Sequence, residues 1–311
     1  MVLVAPPVTQ RQGGGATAAP VLRVIDGRAP AGGVLELLRT DGVARVPSWA
    51  GLAGGLRAWL EDAAYDAVRA RGEEAPPLVL GARQLLGPAA AVHEAADPRT
   101  GQRAAAGACE PDPPDDDVVL ARLVRALFRQ IATVGTLDDP LHDACDALRA
   151  DGGGSGAVLR RIESLTPAER HALRETLGAH ASRLMELLPR PEPDWRPRTD
   201  ERVAIPLAGG RVVLHGVFDL LVDAPEGPGR ARGALALSTD GAWGRTRRSL
   251  HYLALLETLR SGAPPCRVAQ VDSSSGRFGA EDVREEQLRV MTAHACGWLA
   301  GASWGTAVGG A

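Results

Sequence analysis

Apolar residues recur along this chain in two rhythms, one helical and one alternating, and the change of rhythm divides it. From Leu22 to about Gly87 the pattern is mixed. Val34, Leu35, Leu37 and Leu38 predict a short helix, and Leu56, Leu60, Ala64 and Val68 repeat at helical spacing beside Trp59 and Tyr65, with Gly72 closing that helix. Residues 96–117 predict a loop marked by Pro111, Pro113 and Pro114. Val118, Val119, Leu123, Val124, Leu127, Phe128 and Ile131 then predict a strongly amphipathic helix.

After a glycine-rich break at Gly152–Gly156, Thr166-Pro167-Ala168-Glu169 carries the signs of a helix start, namely an N-cap threonine, a first-turn proline and a glutamate three residues on. This helix should reach about Leu188, where Pro189, Pro191 and Pro193 stop it. Strand rhythm follows. Val203, Ile205 and Leu207 alternate, Gly209-Gly210 predicts a tight turn, Val212–Val222 a second strand and Ala234–Leu237 a third. Leu250–Leu259 predicts a helix, Arg267–Val271 a buried strand, and Glu281–Leu299 a closing amphipathic helix. The order helix, three strands, helix, strand, helix predicts an α/β protein with a mixed central sheet flanked by helices, preceded by a helical N-terminal region. The boundaries follow: a flexible tail over 1–20, a mostly helical region over 21–160, an α/β core over 161–300 and a tail over 301–311.

Composition narrows the function. The 311 residues carry a formal net charge of -3, which argues against coating nucleic acid by bulk electrostatics while leaving room for a local basic patch. Aromatic residues, at 4%, are too few for rows of base-stacking rings. All 35 basic residues are arginine, so no step can use lysine as a Schiff base, a phosphate point charge or a tuned acid or base. Cys109, Cys145, Cys266 and Cys296 are too scattered for a zinc or iron–sulfur site and predict reduced, mostly buried thiols. Met1–Pro20 has no signal-peptide pattern, and no stretch has the apolar length of a membrane span, so the expectation is a cytoplasmic protein without membrane contact.

Two clusters invite a metal and are better explained by helix chemistry. Asp115–Asp117 stands immediately before the apolar helix, where acidic residues favour the helix N-terminus through its dipole. His142 and Cys145 share one helix face but have no further ligands beside them.

The constellation that carries chemistry lies between about 210 and 275. Gly216-Val217-Phe218-Asp219 sets one carboxylate inside an apolar strand. Ala234-Leu235-Ala236-Leu237-Ser238-Thr239 forms the next strand, and Arg248-Ser249-Leu250-His251-Tyr252-Leu253-Ala254-Leu255-Leu256 the helix after it. In this order the chain resembles RecB-like members of the PD-(D/E)XK nuclease superfamily, whose pattern is a Gly-x-x-Asp strand, a strand ending in Asp/Glu-x-Lys-Thr-Gly, and a helix with Gln-x-x-x-Tyr. The order of elements resembles that superfamily over roughly 165–297.

The resemblance implies a restriction-endonuclease-like core. It also implies a site where two carboxylates on neighbouring strands clamp Mg²⁺ or Mn²⁺ and a lysine stabilises negative charge. Asp219 matches the first acid and Tyr252 the helix tyrosine. The second acid falls at Ala236, the lysine at Ser238 and the glutamine at Arg248, four residues before Tyr252. Asp219 is then the remnant of a degenerate motif. An additional acid from an upstream helix, as such enzymes often have, would fall at His93-Glu94, making Asp219 and Glu94 the candidate metal ligands. A buried Asp219 requires either residual metal or an arginine partner, for which Arg245, Arg247 and Arg248 are candidates.

Three functions follow as expectations. The first is an eroded nuclease-like protein serving as a binding or scaffolding subunit in a nucleic-acid-processing or defence assembly. Its Arg245, Arg247, Arg248 and Arg260 would hold nucleic-acid phosphates or a partner protein, and no cofactor would be needed. The second is an active Mg²⁺- or Mn²⁺-dependent nuclease whose site is rerouted through Asp219 with Glu94, Asp240 or Glu257. The third places the working surface in the helical half, 22–190. No phosphate-binding glycine loop is present.

Overall fold

The computed structural model describes residues 23–24, 49–72, 74–86, 114–151, 155–188, 196–223, 233–239 and 246–302. The expected helix at 34–38, His93-Glu94, Cys109, Asp240, Arg245, the tail 1–20 and most of the tail 301–311 lie outside them. The described residues form an α/β fold with a mixed seven-stranded sheet flanked by helices.

The elements in chain order are β1 (Arg23–Val24), α1 (Trp49–Arg71), β2 (Leu78–Leu80), α2 (Ala82–Leu86), α3 (Asp116–Val134), α4 (Pro140–Ala150), α5 (Gly156–Glu163) and α6 (Pro167–Leu187). There follow β3 (Arg196–Leu207), β4 (Val212–Asp223), β5 (Gly233–Ser238), α7 (Thr246–Ser261), β6 (Arg267–Asp272), β7 (Arg277–Asp282) and α8 (Glu285–Ala302). The sheet order is β1-β7-β6-β5-β4-β2, and β3 pairs along the length of β4. β2 with β4 and β5 with β6 are parallel; the remaining pairs are antiparallel.

Local chemistry accounts for the helix ends. Thr166 Oγ1 accepts the Glu169 N–H at 3.3 Å while the Glu169 carboxylate accepts the Thr166 N–H at 2.8 Å, the expected capping box. Asp115 is the N-cap of α3, with Asp116 and Asp117 in its first turn, but no side chain caps there. Asp116 instead pairs with Arg161 of α5 at 3.0 Å. Asp139 caps α4, accepting from Leu141 N and His142 N. On α4, Cys145 is buried and His142 is exposed beside Asp146, so the two do not converge.

The expected tight turn at Gly209-Gly210 is present, and one correction arises at the end of the chain. That turn is a short 3-10 segment, Ala208–Gly210. The segment from Glu281, expected to open the closing helix, belongs to a hairpin strand, β7, and α8 starts at Glu285. The hairpin is stabilised by Asp272, whose carboxylate accepts from Ser274 N at 3.1 Å and Ser274 Oγ at 2.8 Å.

Each face of the sheet carries its own apolar cluster. Leu56, Leu60 and Ala64 of α1, Tyr252 and Leu256 of α7, and Leu288 and Leu299 of α8 pack with Leu214, Phe218 and Ala236 of the sheet. On the other face Leu123, Leu127 and Ile131 of α3, Leu148 of α4, and Leu177 and Leu184 of α6 pack with Leu220, Leu235, Leu237 and Val271. Residues on both sides of position 160 thus share both clusters. β2, drawn from the N-terminal region, completes the sheet beside β4.

Candidate active site

β4 does not alternate regularly. Leu214 and Phe218 face α7, but Leu221 faces α7 as well, while Leu220 and Val222 face α3. The side-chain phase slips between Phe218 and Leu221, and Asp219 sits in the slip. Opposite it the β3–β4 ladder has its gap. Thr199 pairs with Leu220 and Glu201 with Phe218, and the intervening Asp200 takes the left-handed conformation at φ 52°. Two aspartates on neighbouring strands therefore meet at one local distortion.

Asp219 is buried, and both of its oxygens are engaged. The β4–β5 ladder ends at Leu220–Leu235, and Asp219 Oδ2 accepts the Leu237 N–H beyond that end at 2.8 Å. Asp219 Oδ1 lies 3.3 Å from Arg125 Nε of α3, and both side chains are nearly inaccessible. The expected arginine partner is thus present, but its source is corrected. It comes from the helical half of the chain rather than from Arg247 or Arg248 of α7. One turn along α3, Arg129 bridges Asp200 and Asp151. Burial pushes the Asp200 carboxyl up, the Asp219 charge adds to this, and Arg129 opposes it without reversing the direction.

The other motif positions sit elsewhere. Ala236 is fully buried in the cluster beneath α7, whereas Arg125 reaches Asp219 from the opposite layer. Ser238 is buried, and its carbonyl accepts from Ser273 N at 3.0 Å and Ser273 Oγ at 3.2 Å. Neither residue brings a carboxylate or an ammonium toward Asp219. Among the described residues no group of three His, Cys, Asp or Glu side chains is arranged to hold a metal ion.

Tyr252 is wholly buried, and its hydroxyl is shared between the carbonyls of Leu80 and His215, each at 3.0 Å. It ties β2 to β4. Arg248, one turn earlier, is exposed, so the two do not form a joint face. Glu257 is buried and paired with Arg260 Nε at 2.8 Å, and Arg260 Nη1 also reaches Glu201 at 3.0 Å. Of the arginines considered for phosphate contact, Arg247 and Arg260 are therefore held by carboxylates and Arg248 points outward.

A cluster that the sequence did not announce surrounds Glu281 of β7. Its buried carboxylate accepts from Arg247 Nη2 at 2.8 Å and Nε at 3.1 Å, and meets His251 Nε2 at 2.5 Å. Burial pushes this carboxyl up, but the hydrogen bonds and charges of His251 and Arg247 outweigh it and hold Glu281 below the ordinary glutamate value. Because the folded-state value is depressed, the unfolded chain binds more protons between the two values. This contribution to stability is complete above the ordinary carboxylate range and is lost as pH falls through the folded-state value. E281Q should therefore flatten the acid limb of the stability profile, which urea unfolding of both proteins from about pH 3 to 7 would record. Equal slopes in the two proteins would rule this out.

No helix among the described residues is long and apolar enough to cross a membrane. Comparison of the chain with protein families, with characterised proteins and with solved structures finds no match.

Proposed function

We propose that this chain has a restriction-endonuclease-like core of the PD-(D/E)XK type, catalytically eroded, and that it works as a binding or scaffolding subunit in a nucleic-acid-processing or defence assembly. The observation that carries this is the Arg125 guanidinium 3.3 Å from Asp219. An arginine stands where such a site would need a divalent cation. Ala236 offers no oxygen, Ser238 is a weak neutral donor, and a chain without lysine cannot move that group to another position. What remains is a packed frame with a nucleic-acid or protein partner as its object, and exposed Arg248 is a suitable phosphate contact.

A second proposal, a metal-dependent DNA nuclease with a rerouted site, is favoured by Asp200. It supplies from β3 the second carboxylate that β5 lacks, in place of Glu94 or Asp240, which lie outside the described residues, and of Glu257, which is engaged by Arg260.

The test is calorimetric titration of Mg²⁺ and Mn²⁺ into the wild type and D219N, with DNA binding and cleavage followed in parallel. Asparagine retains an acceptor for the Leu237 N–H. The binding-subunit proposal expects no Asp219-dependent metal uptake and no cleavage, with DNA or a partner protein bound intact. Metal uptake and cutting that both disappear in D219N would establish the nuclease instead.

A further inference from the structure

We infer that the first turn of α7 binds a phosphate group, with Ser249 Oγ and Gln270 Nε2 as its buried donors and Arg248 as its outer cation. This rests on the proposed reading of the chain as a nucleic-acid-binding subunit, and it names the contact as a backbone phosphate taken up where α7 begins.

The path of α7 brings these residues together. Arg247 and His251 reach Glu281 of β7, while Leu253 and Leu256 stand over Gly216 of β4, so α7 starts beside β7 and crosses the sheet toward β4. β6 is the next strand after β7 under the start of the helix. Ser249, four residues before Leu253 and seven before Leu256, belongs to the sheet-facing stripe. On β6, Val268 packs in the α7 cluster and Ala269 and Val271 pack in the opposite one, so Gln270 faces α7 by alternation. It stands two residues on from Val268, the register partner of Glu281. Its own neighbours in register are Ala236 and Gly279, which carry only a methyl group and a hydrogen and cannot accept from it.

Two donors in this strip are unmet. Ser249 is 2% exposed and Gln270 5% exposed, and neither Ser249 Oγ nor Gln270 Nε2 has a hydrogen-bond partner. Buried polar groups are ordinarily paired, so two unmet donors beneath one helix start point to an acceptor that belongs there. The donors select its chemistry. An amide N–H, a hydroxyl, the free N–H groups of a helix start and the positive end of a 16-residue helix all favour an oxygen-rich anion. Glu281 is the carboxylate nearest to this turn by contact, and Arg247 and His251 between them engage both of its oxygens. Arg248, in the same turn, is exposed and offers a cation toward solvent. A phosphate group presents several acceptor oxygens at once, which suits a buried pair of donors with an arginine at the rim.

The experiment is titration of the full-length wild type, S249A, Q270M and R248A with inorganic phosphate, by calorimetry and by the phosphate-dependent rise in melting temperature, and with a fluorescent DNA duplex by anisotropy. S249A and Q270M should each bind phosphate about tenfold more weakly, as expected for losing a hydrogen bond to a charged group. Without phosphate both should melt at or above the wild-type temperature, because each removes a donor that the free protein leaves unmet. A merely structural role for these side chains predicts the opposite, a lower melting temperature with phosphate binding unchanged. R248A should weaken duplex binding and flatten its salt dependence. If Q270M does not fold, S249A and R248A carry the test. Phosphate uptake that S249A and Q270M weaken, with the duplex weakened in parallel, assigns the site to the nucleic-acid backbone; the same loss without duplex binding assigns it to a free phosphate and removes the proposed function instead. A wild type that binds no phosphate, or folded variants that bind it as tightly as the wild type, overturns the inference.

Discussion

Replacing Asp219 by alanine is expected to cost about 3–5 kcal/mol of folding stability, the range for removing one partner of a buried ion pair. Two groups lose their acceptor at once. Arg125 is left in a nearly inaccessible position without its carboxylate, and the Leu237 N–H beyond the end of the β4–β5 ladder loses its 2.8 Å bond. The second loss alone is worth about 1–3 kcal/mol for a buried donor. D219N should cost less, because the amide oxygen can still accept from Leu237. The double variant D219A/R125M should cost less than the sum of its parts, since each single change breaks the same buried ion pair. Urea unfolding with unchanged m-values would measure all five proteins, wild type, D219A, D219N, R125M and D219A/R125M. A D219A protein within about 1 kcal/mol of the wild type would mean that the carboxylate is effectively hydrated and not part of the core. Because the substitution acts on stability, loss of any activity in D219A does not by itself identify Asp219 as catalytic.

The parts of the fold legible in the sequence are those whose signal is local. The capping box at Thr166, the apolar stripe of α3 and the long apolar run of β4 each depend on residues within a few positions of one another. What was not legible depends on distant partners. β7 reads as a helix start because Glu281 and Asp282 resemble an acidic first turn, and it takes Arg247 and His251 from α7 to make a buried glutamate tolerable in a strand. β2 is three residues long, too short for any periodicity, and exists because the β4 edge is open beside it. The first half of β3, with Arg198, Asp200, Glu201 and Arg202, looks like a charged loop, yet it pairs with β4 up to Asp223. The arginine that meets Asp219 could not be chosen from the sequence, since the candidates Arg247 and Arg248 belong to α7 and the true partner belongs to α3. Asp200 was invisible for the same reason. Its importance lies in facing Asp219 across the ladder gap, which only the register reveals.

The glycine of the Gly-x-x-Asp strand is legible as a motif position, but its physical task emerges only from the packing, and it gives the second large prediction. A Cβ built on Gly216 would lie 2.7 Å from Leu256 Cδ1, 3.0 Å from Leu253 Cδ2 and 3.9 Å from Tyr252 Cε1. Gly216 is therefore the place where α7 comes down onto β4, and any side chain there pushes the helix away. Alanine ordinarily gains about 0.5–1 kcal/mol over glycine in a strand through chain entropy. Overpacking costs about 1–3 kcal/mol, and the clashing atoms are leucine methyls with little room to turn among fully buried neighbours. The steric loss should win, so G216A should be destabilised and G216V more so. The damage should also be directional. Tyr252 is on the same helix, and its hydroxyl holds the carbonyls of Leu80 and His215, so lifting α7 should loosen β2 first. Hydrogen exchange in G216A should then speed up in β2 more than in β6, which lies farther across the sheet. A neutral G216A with unchanged exchange in β2 would show that Leu253 and Leu256 can yield, and that close approach of α7 does not set this position.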